Sequence, residues 1–263
     1  IMSDASDDDD YTAVMDSMFV VEQYEQKVFK YGDKKVVLNQ NDSGVDWSTT
    51  GQEVWPSSDM LCKYLTQQIT ANSPDFQNMA STRVLELGAG PGLCGILLMQ
   101  YSDYVVVTDG SDIVMRLLEK NTEENAIEGK THTSCKLEWG TDNDKLRAMG
   151  HTEFDLILGA DIIYSLVWEH SIIPLWKVVD EFLSKTNPQA VFLLCFQVRS
   201  ETTLQKLLEL GTEHGFDCKD IPVGVVDVKE NVHCSLDNDF IRTKLFAFKR
   251  SKKASKPTTQ SIN

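Results

Sequence analysis

The chain has 263 residues, 41% of them hydrophobic, enough for one well-buried core, and a formal net charge of -15. No apolar run reaches the roughly 18 residues of a membrane span, and Met15–Val21 is too short, and too close to an aspartate cluster, to read as a secretory signal. An acidic body repels phosphate backbones and attracts cationic partners, although the same charge also serves plain solubility.

In chain order, residues 1–20 form an acidic tail, with five Asp in the first ten positions, expected to be disordered. A single domain is expected over 21–250. It opens with a β-hairpin, Lys27–Tyr31 and Lys35–Asn39, around the turn residues Gly32-Asp33. Pro56 opens a helix to about Thr70, with Leu61, Tyr64 and Leu65 on its apolar face. Arg83–Leu87 reads as a strand, followed by glycine-rich sequence and a helix through Ile96–Met99. Tyr104–Thr108 is the next strand and Ser111–Asn125 the next helix. Ser134–Trp139 reads as a weak strand and Phe154–Gly159 as a strong one. Val167–Leu183 reads as a helix kinked or broken at Pro174. Ala190–Phe196 is a strand and Glu201–His214 a helix. Phe216–Val228 and Phe240–Lys249 have no helix between them and should pair antiparallel. Residues 251–263 form a basic tail, also expected to be disordered. Alternating strands and helices predict an α/β fold with a mostly parallel sheet covered on both faces. The six cysteines show no ligand or disulfide spacing. They predict a protein without zinc, in a reducing cytoplasmic or nuclear compartment, and a monomer is expected.

In such sheets ligands sit beyond the carboxyl ends of the strands, so the residues there carry the functional signal. After Arg83–Leu87 comes Gly88-Ala89-Gly90-Pro91-Gly92-Leu93-Cys94-Gly95, with Glu86 just before it. A dinucleotide fingerprint fits only in a shifted frame starting at Gly90. Glu86 would oppose a pyrophosphate, Pro91 removes an amide from any phosphate nest, and no Walker lysine follows. Asp109 ends the next strand, 21 residues after Gly88, near the roughly 20-residue spacing of a ribose-binding acid. A glycine loop, a ribose carboxylate and an acid suited to a cationic group together match S-adenosylmethionine. The bland alternatives are a glycine turn without ligand and an Asp109 that caps a helix. Leu158-Gly159-Ala160-Asp161-Ile162-Ile163-Tyr164 then places a carboxylate where a buried strand ends, which demands a cationic or hydrogen-bonding partner.

Glu86–Gly92, Asp109, Trp139 and Asp161–Tyr164, in this order, resemble the seven-β-strand class I methyltransferases. Together with Gly51–Trp55 and Leu137-Glu138-Trp139-Gly140, they are similar to methyltransferase family 16, the protein-lysine methyltransferases with a D-x-x-Y motif, over about residues 44 to 250. The resemblance implies a Rossmann-like seven-stranded sheet whose last strand is antiparallel, with S-adenosylmethionine as cofactor and S-adenosylhomocysteine as product. It implies that Gly88, Ala89 and Gly90 turn under the methionine part and that Asp109 holds the ribose. Trp139 would lie along the adenine, Trp55 would close over the cofactor, and Ala160 would touch it through its backbone. Core packing is the alternative for each tryptophan.

The acceptor would be a lysine of a protein substrate, facing Asp161 and Tyr164 as the catalytic pair. Asp161 would orient the amine and stabilise charge, because a carboxylate with an ordinary pKa of about 3.9 is a poor base for an amine at about 10.4. A capping role for Asp161 is the alternative. Base-modifying enzymes with Asp-Pro-Pro-Tyr here have prolines where this chain has Ile162 and Ile163, which points away from nucleic acid. The family often has aromatic-Glu-x-Arg after the fifth strand; this chain has Phe196-Gln197-Val198-Arg199. Two other readings are a methyltransferase for a small molecule or RNA, and a cofactor-binding module without turnover.

Overall fold

The computed structural model describes residues 24–41, 50–163, 170–222 and 243–252. The acidic tail, Tyr164, Cys234 and most of the basic tail lie outside them, as do the expected helix start at Val167, the second half of Phe216–Val228 and the start of Phe240–Lys249. An antiparallel hairpin, β1 (Glu25–Tyr31) and β2 (Lys34–Gln40), precedes the main sheet. Gly32 supplies the left-handed φ of 62° that its turn requires. Helix α1 (Pro56–Thr70) starts on a proline, whose missing amide costs nothing in a first turn.

The sheet then alternates with helices: β3 (Arg83–Leu87), α2 (Leu93–Leu98), β4 (Tyr104–Asp109), α3 (Asp112–Asn125), β5 (Thr131–Lys136), α4 (Asn143–Ala148), β6 (Leu156–Ala160), α5 (Ile172–Phe182), β7 (Val191–Gln197), α6 (Glu201–Glu213), β8 (Phe216–Ile221) and β9 (Thr243–Arg250). The strand order is β5-β4-β3-β6-β7-β9-β8. All pairs are parallel except those of β9, which runs antiparallel to both β7 and β8. The chain therefore builds outward from β3 to β5, then returns to lay β6 against the other side of β3. That reversal is the switch point at which the carboxyl ends of neighbouring strands diverge.

Alternating strand residues feed two cores. On one face the hairpin, α1, α2 and α3 pack on Val84, Val105, Val107, Leu156 and Leu158. On the other, α5 and α6 cover Leu85, Val106, Ile157, Phe192 and Phe248. Trp176 of α5 is fully buried there, 4.9 Å from the Phe248 ring centroid, and its indole N–H donates to the Leu207 carbonyl at 3.1 Å. No helix among the described residues is long and apolar enough to cross a membrane.

Three boundaries differ from expectation, each for a physical reason. β5 lies over Thr131–Lys136 rather than Ser134–Trp139, because it is an edge strand whose position is set by its ladder with β4 and not by its own weak apolar pattern. Trp139 lies beyond the strand, just before Gly140 with φ 88°. β6 starts at Leu156; Phe154 instead makes an isolated bridge to Leu183. Pro174 does not kink a helix. It is the third residue of α5, where no intrahelical amide bond is lost.

Candidate active site

The carboxyl ends of β3, β4, β6 and β7 converge on one rim. From β3 the chain enters the glycine loop. Gly88 and Gly90 have φ of 58° and 56°, the left-handed region that side-chain-bearing residues avoid. Space imposes the same choice. A Cβ on Gly88 would stand 2.7 Å from Cγ2 of Ile162 and 3.6 Å from Cζ2 of Trp139, and one on Gly90 would stand 3.0 Å from the Gly51 carbonyl. The loop is thus packed from behind by the first isoleucine of the D-I-I-Y segment and crossed by the Gly51–Trp55 segment. Trp139 sits beside the loop, half-buried, and Trp55, also half-buried, precedes the first residue of α1.

The two acids of the cofactor reading have different tasks. Glu86 is 2% exposed, and its Oε2 accepts the Gly95 amide of α2 at 2.7 Å. Burial pushes its carboxyl up to about 7, against the lowering effect of the Gly95 and Cys94 hydrogen bonds. The carboxyl group is therefore engaged by the first turn of α2. Asp109 is half-buried at the end of β4. Its Oδ2 accepts the Gly90 amide at 3.1 Å and its Oδ1 the Ser111 amide at 3.0 Å. Burial raises its pKa, opposed by the Ser111, Gly90 and Gly110 amides. It braces the loop and holds the Ser111 amide just ahead of α3, while a carboxylate keeps some acceptor capacity beyond these amides.

Ala160 ends β6, half-buried, opposite Cys195 of β7. Asp161 follows with φ 55°, its amide donating to the Cys195 carbonyl at 2.7 Å. The carboxylate is 3% exposed and is gripped by Arg199: Nη1 donates to Oδ1 at 2.9 Å and Nη2 to Oδ2 at 2.7 Å. The Gln197 amide adds a bond to Oδ1 at 3.1 Å. The partner demanded by a buried carboxylate is therefore Arg199. Its position is set on both sides, by the end of β7 and by Ser200, whose hydroxyl caps α6 by accepting the Thr203 amide at 3.2 Å. Sequence reasoning placed Arg199 after the fifth strand but did not join it to Asp161. Two residues past a strand end, adjacent to β6, was the available signal. Tyr164 lies outside the described residues. Among the described residues no three His, Cys, Asp or Glu side chains group as metal ligands.

A seven-stranded sheet of this order, with a glycine loop after its first parallel strand and an acid ending the next, defines the class I methyltransferase fold. The fold is similar to that of the magnesium protoporphyrin IX methyltransferase of Synechocystis, solved with bound SAM, at a TM-score of 0.52 and 15% identity over 80% of this chain and 87% of that one. The lysine methyltransferase family matches residues 33–211, and the chain belongs to it. It is 31% identical over 148 residues to the EEF1A lysine methyltransferase 3 of Xenopus tropicalis, covering 56% of this chain and 58% of that protein. It is 30% identical over 175 residues to the protein N-lysine methyltransferase METTL21A of Xenopus tropicalis, covering 65% and 70%. The matched region thus spans between 58% and 70% of these two relatives' lengths.

Proposed function

We propose that this protein uses S-adenosylmethionine to methylate the ε-amine of a lysine in a protein substrate. The observation that carries the reading is the meeting, at the switch point, of the Gly88–Gly90 loop, Asp109 and the Asp161–Arg199 pair on adjacent strand ends. The residues present fit the cofactor. Two left-handed glycines let a ligand approach the backbone closely, and Asp109 keeps acceptor capacity for a ribose diol. Trp139 beside Gly88 offers a ring for an adenine and a sulfonium-tolerant face. The buried Glu86 and the absent amide of Pro91 disfavour a polyphosphate in its place. When bound, the cofactor supplies an electrophilic methyl on a positively charged sulfur.

Asp161 orients the amine, which attacks only when neutral; its proton leaves to water. Because Arg199 pairs with Asp161, the two together add no net charge beside the amine. That limits stabilisation of the ammonium form and favours the nucleophile. Tyr164 would supply a ring for the lysine stem. Rate then comes mainly from alignment and exclusion of water. The acidic body suits a protein partner with basic surface and disfavours nucleic acid. We place the enzyme, as a monomer with one domain over 21–250, in a reducing cytoplasmic or nuclear compartment, supported by free thiols at all five described cysteines.

The test is transfer of label from tritiated cofactor into lysate protein, followed by mass mapping of the modified residue. The expected result is label on lysine that is lost with Asp161→Ala. Label confined to metabolites, RNA or another amino acid would overturn the reading.

A further inference from the structure

Asn121 of α3 is fully buried, and all the hydrogen-bonding capacity of its side chain is in use. Its Oδ1 accepts the Asn39 backbone amide at 2.8 Å and the Asn39 side-chain amide at 3.0 Å. Its Nδ2 donates to the Asn39 carbonyl and to the Pro91 carbonyl, each at 2.9 Å. One side chain therefore joins the second strand of the hairpin to the glycine loop. Pro91 has no N–H, so its carbonyl is the only backbone group by which it can be held.

A second strap leaves the same strand. The Asn41 amide donates to the Gln52 carbonyl at 3.0 Å, and its side chain to that of Gln52, itself buried, at 3.2 Å. The neighbouring Gly51 carbonyl crosses Gly90 so closely that a Cβ there would meet it at 3.0 Å. The path from Pro91 through Asn121, Asn39, Asn41, Gln52 and Gly51 to Gly90 closes a ring around the loop. An isolated hairpin is marginal in water, so this one takes its position from what it is tied to.

We infer that Asn121 is a positioning residue of the cofactor site, locking the hairpin and the glycine loop into one unit so that the loop has its binding shape only when the hairpin is docked. The inference rests on the cofactor reading above. Aspartate has the same size but cannot donate, and it would set a carboxylate oxygen against the Pro91 and Asn39 carbonyls. Asn125 is the natural control. It ties the same helix to the same strand, donating to the Val37 carbonyl at 3.0 Å and to the Asn121 backbone carbonyl at 2.8 Å, and its hydrogen bonds do not run to the loop.

The experiment uses the full chain and S-adenosylhomocysteine as probe, with binding followed by calorimetry. Asn121→Asp should weaken binding by about tenfold or more, the scale of one or two lost hydrogen bonds. Asn125→Ala should lower the melting temperature yet bind within about twofold of wild type. In the wild-type chain the probe should slow amide exchange across residues 34–41, since coupling between sites is reciprocal. Unchanged affinity in Asn121→Asp would overturn the inference. So would equal weakening in Asn125→Ala, or no probe-dependent protection of 34–41; the last decides alone if Asn121→Asp does not fold. A wild-type chain that does not bind the probe at all overturns the cofactor reading itself.

Discussion

Arg199→Met strands the Asp161 carboxylate in the fold. That carboxylate is 3% exposed, whereas the Arg199 side chain is 36% exposed, so the two halves of the pair differ in how well water can replace a lost partner. Without the guanidinium, Asp161 retains only the Gln197 amide of the three donors described here. Breaking a buried pair from the arginine side costs about 3–5 kcal/mol; the partial exposure of Arg199 argues for the lower end, about 3 kcal/mol. Asp161→Asn leaves instead a guanidinium that water reaches, and asparagine tolerates the left-handed backbone at φ 55°, so about 1 kcal/mol is expected. Asp161→Ala adds about 1–2 kcal/mol of backbone strain and should fall between. Urea unfolding followed by tryptophan fluorescence reads these differences: the Arg199→Met midpoint should drop by about 1 M for an m-value near 3 kcal/mol/M. The double variant Arg199→Met/Asp161→Asn should cost at least about 1 kcal/mol less than the sum of the singles. If Asp161→Asn proves as costly as Arg199→Met, or if the two effects simply add, the pair does not hold the carboxylate as described.

Glu86 makes stability depend on pH in a defined direction. Its carboxyl is raised from 4.5 to about 7 by burial, so the folded chain keeps a proton that the unfolded chain releases. The Glu86 contribution to stability is greatest below 4.5, falls as pH rises from there to about 7, and then levels. Roughly 3 kcal/mol is at stake, and Glu86→Gln, which can still accept from Gly95, should flatten that slope in unfolding experiments run across the interval; an unchanged slope would place the titration elsewhere. Gly88→Ala combines left-handed strain with a 2.7 Å approach to Ile162, whereas Gly129→Ala has strain at φ 80° and nothing within 4 Å. Thermal melts should show about 1 kcal/mol lost at Gly129 and about 2–4 kcal/mol at Gly88, with loss of S-adenosylhomocysteine binding only at Gly88.

Much of the molecule is local enough to be read from the chain. The hairpin around Gly32-Asp33, the helix opening on Pro56 and the strand Arg83–Leu87 all carry their own turn chemistry or periodicity, and they appear where expected. The apolar strands β3, β4, β6 and β7 are legible because a strand buried on both faces reads as a near-continuous apolar run. β5 was misplaced by three residues because an edge strand takes its register from its neighbour. Pro174 reads in the sequence as a kink or a break, because only the observed start of α5 reveals that it stands in a first turn.

The residue types at the strand ends were likewise written in the sequence: glycines where backbone must turn left-handed, and carboxylates at positions 86, 109 and 161. What those carboxylates face was not. Glu86 turns to the Gly95 amide, Asp109 divides itself between Gly90 and Ser111, and Asp161 is clamped by Arg199, 38 residues away. Asn121, 82 residues from Asn39 and 30 from Pro91, carried no local signal at all. Periodicity and turn chemistry act over a few residues, so the sequence by itself determined the elements and which chemical groups stand at their ends. Which groups meet depends on strand order and register, and those are decided only when the two cores pack on opposite faces of one sheet.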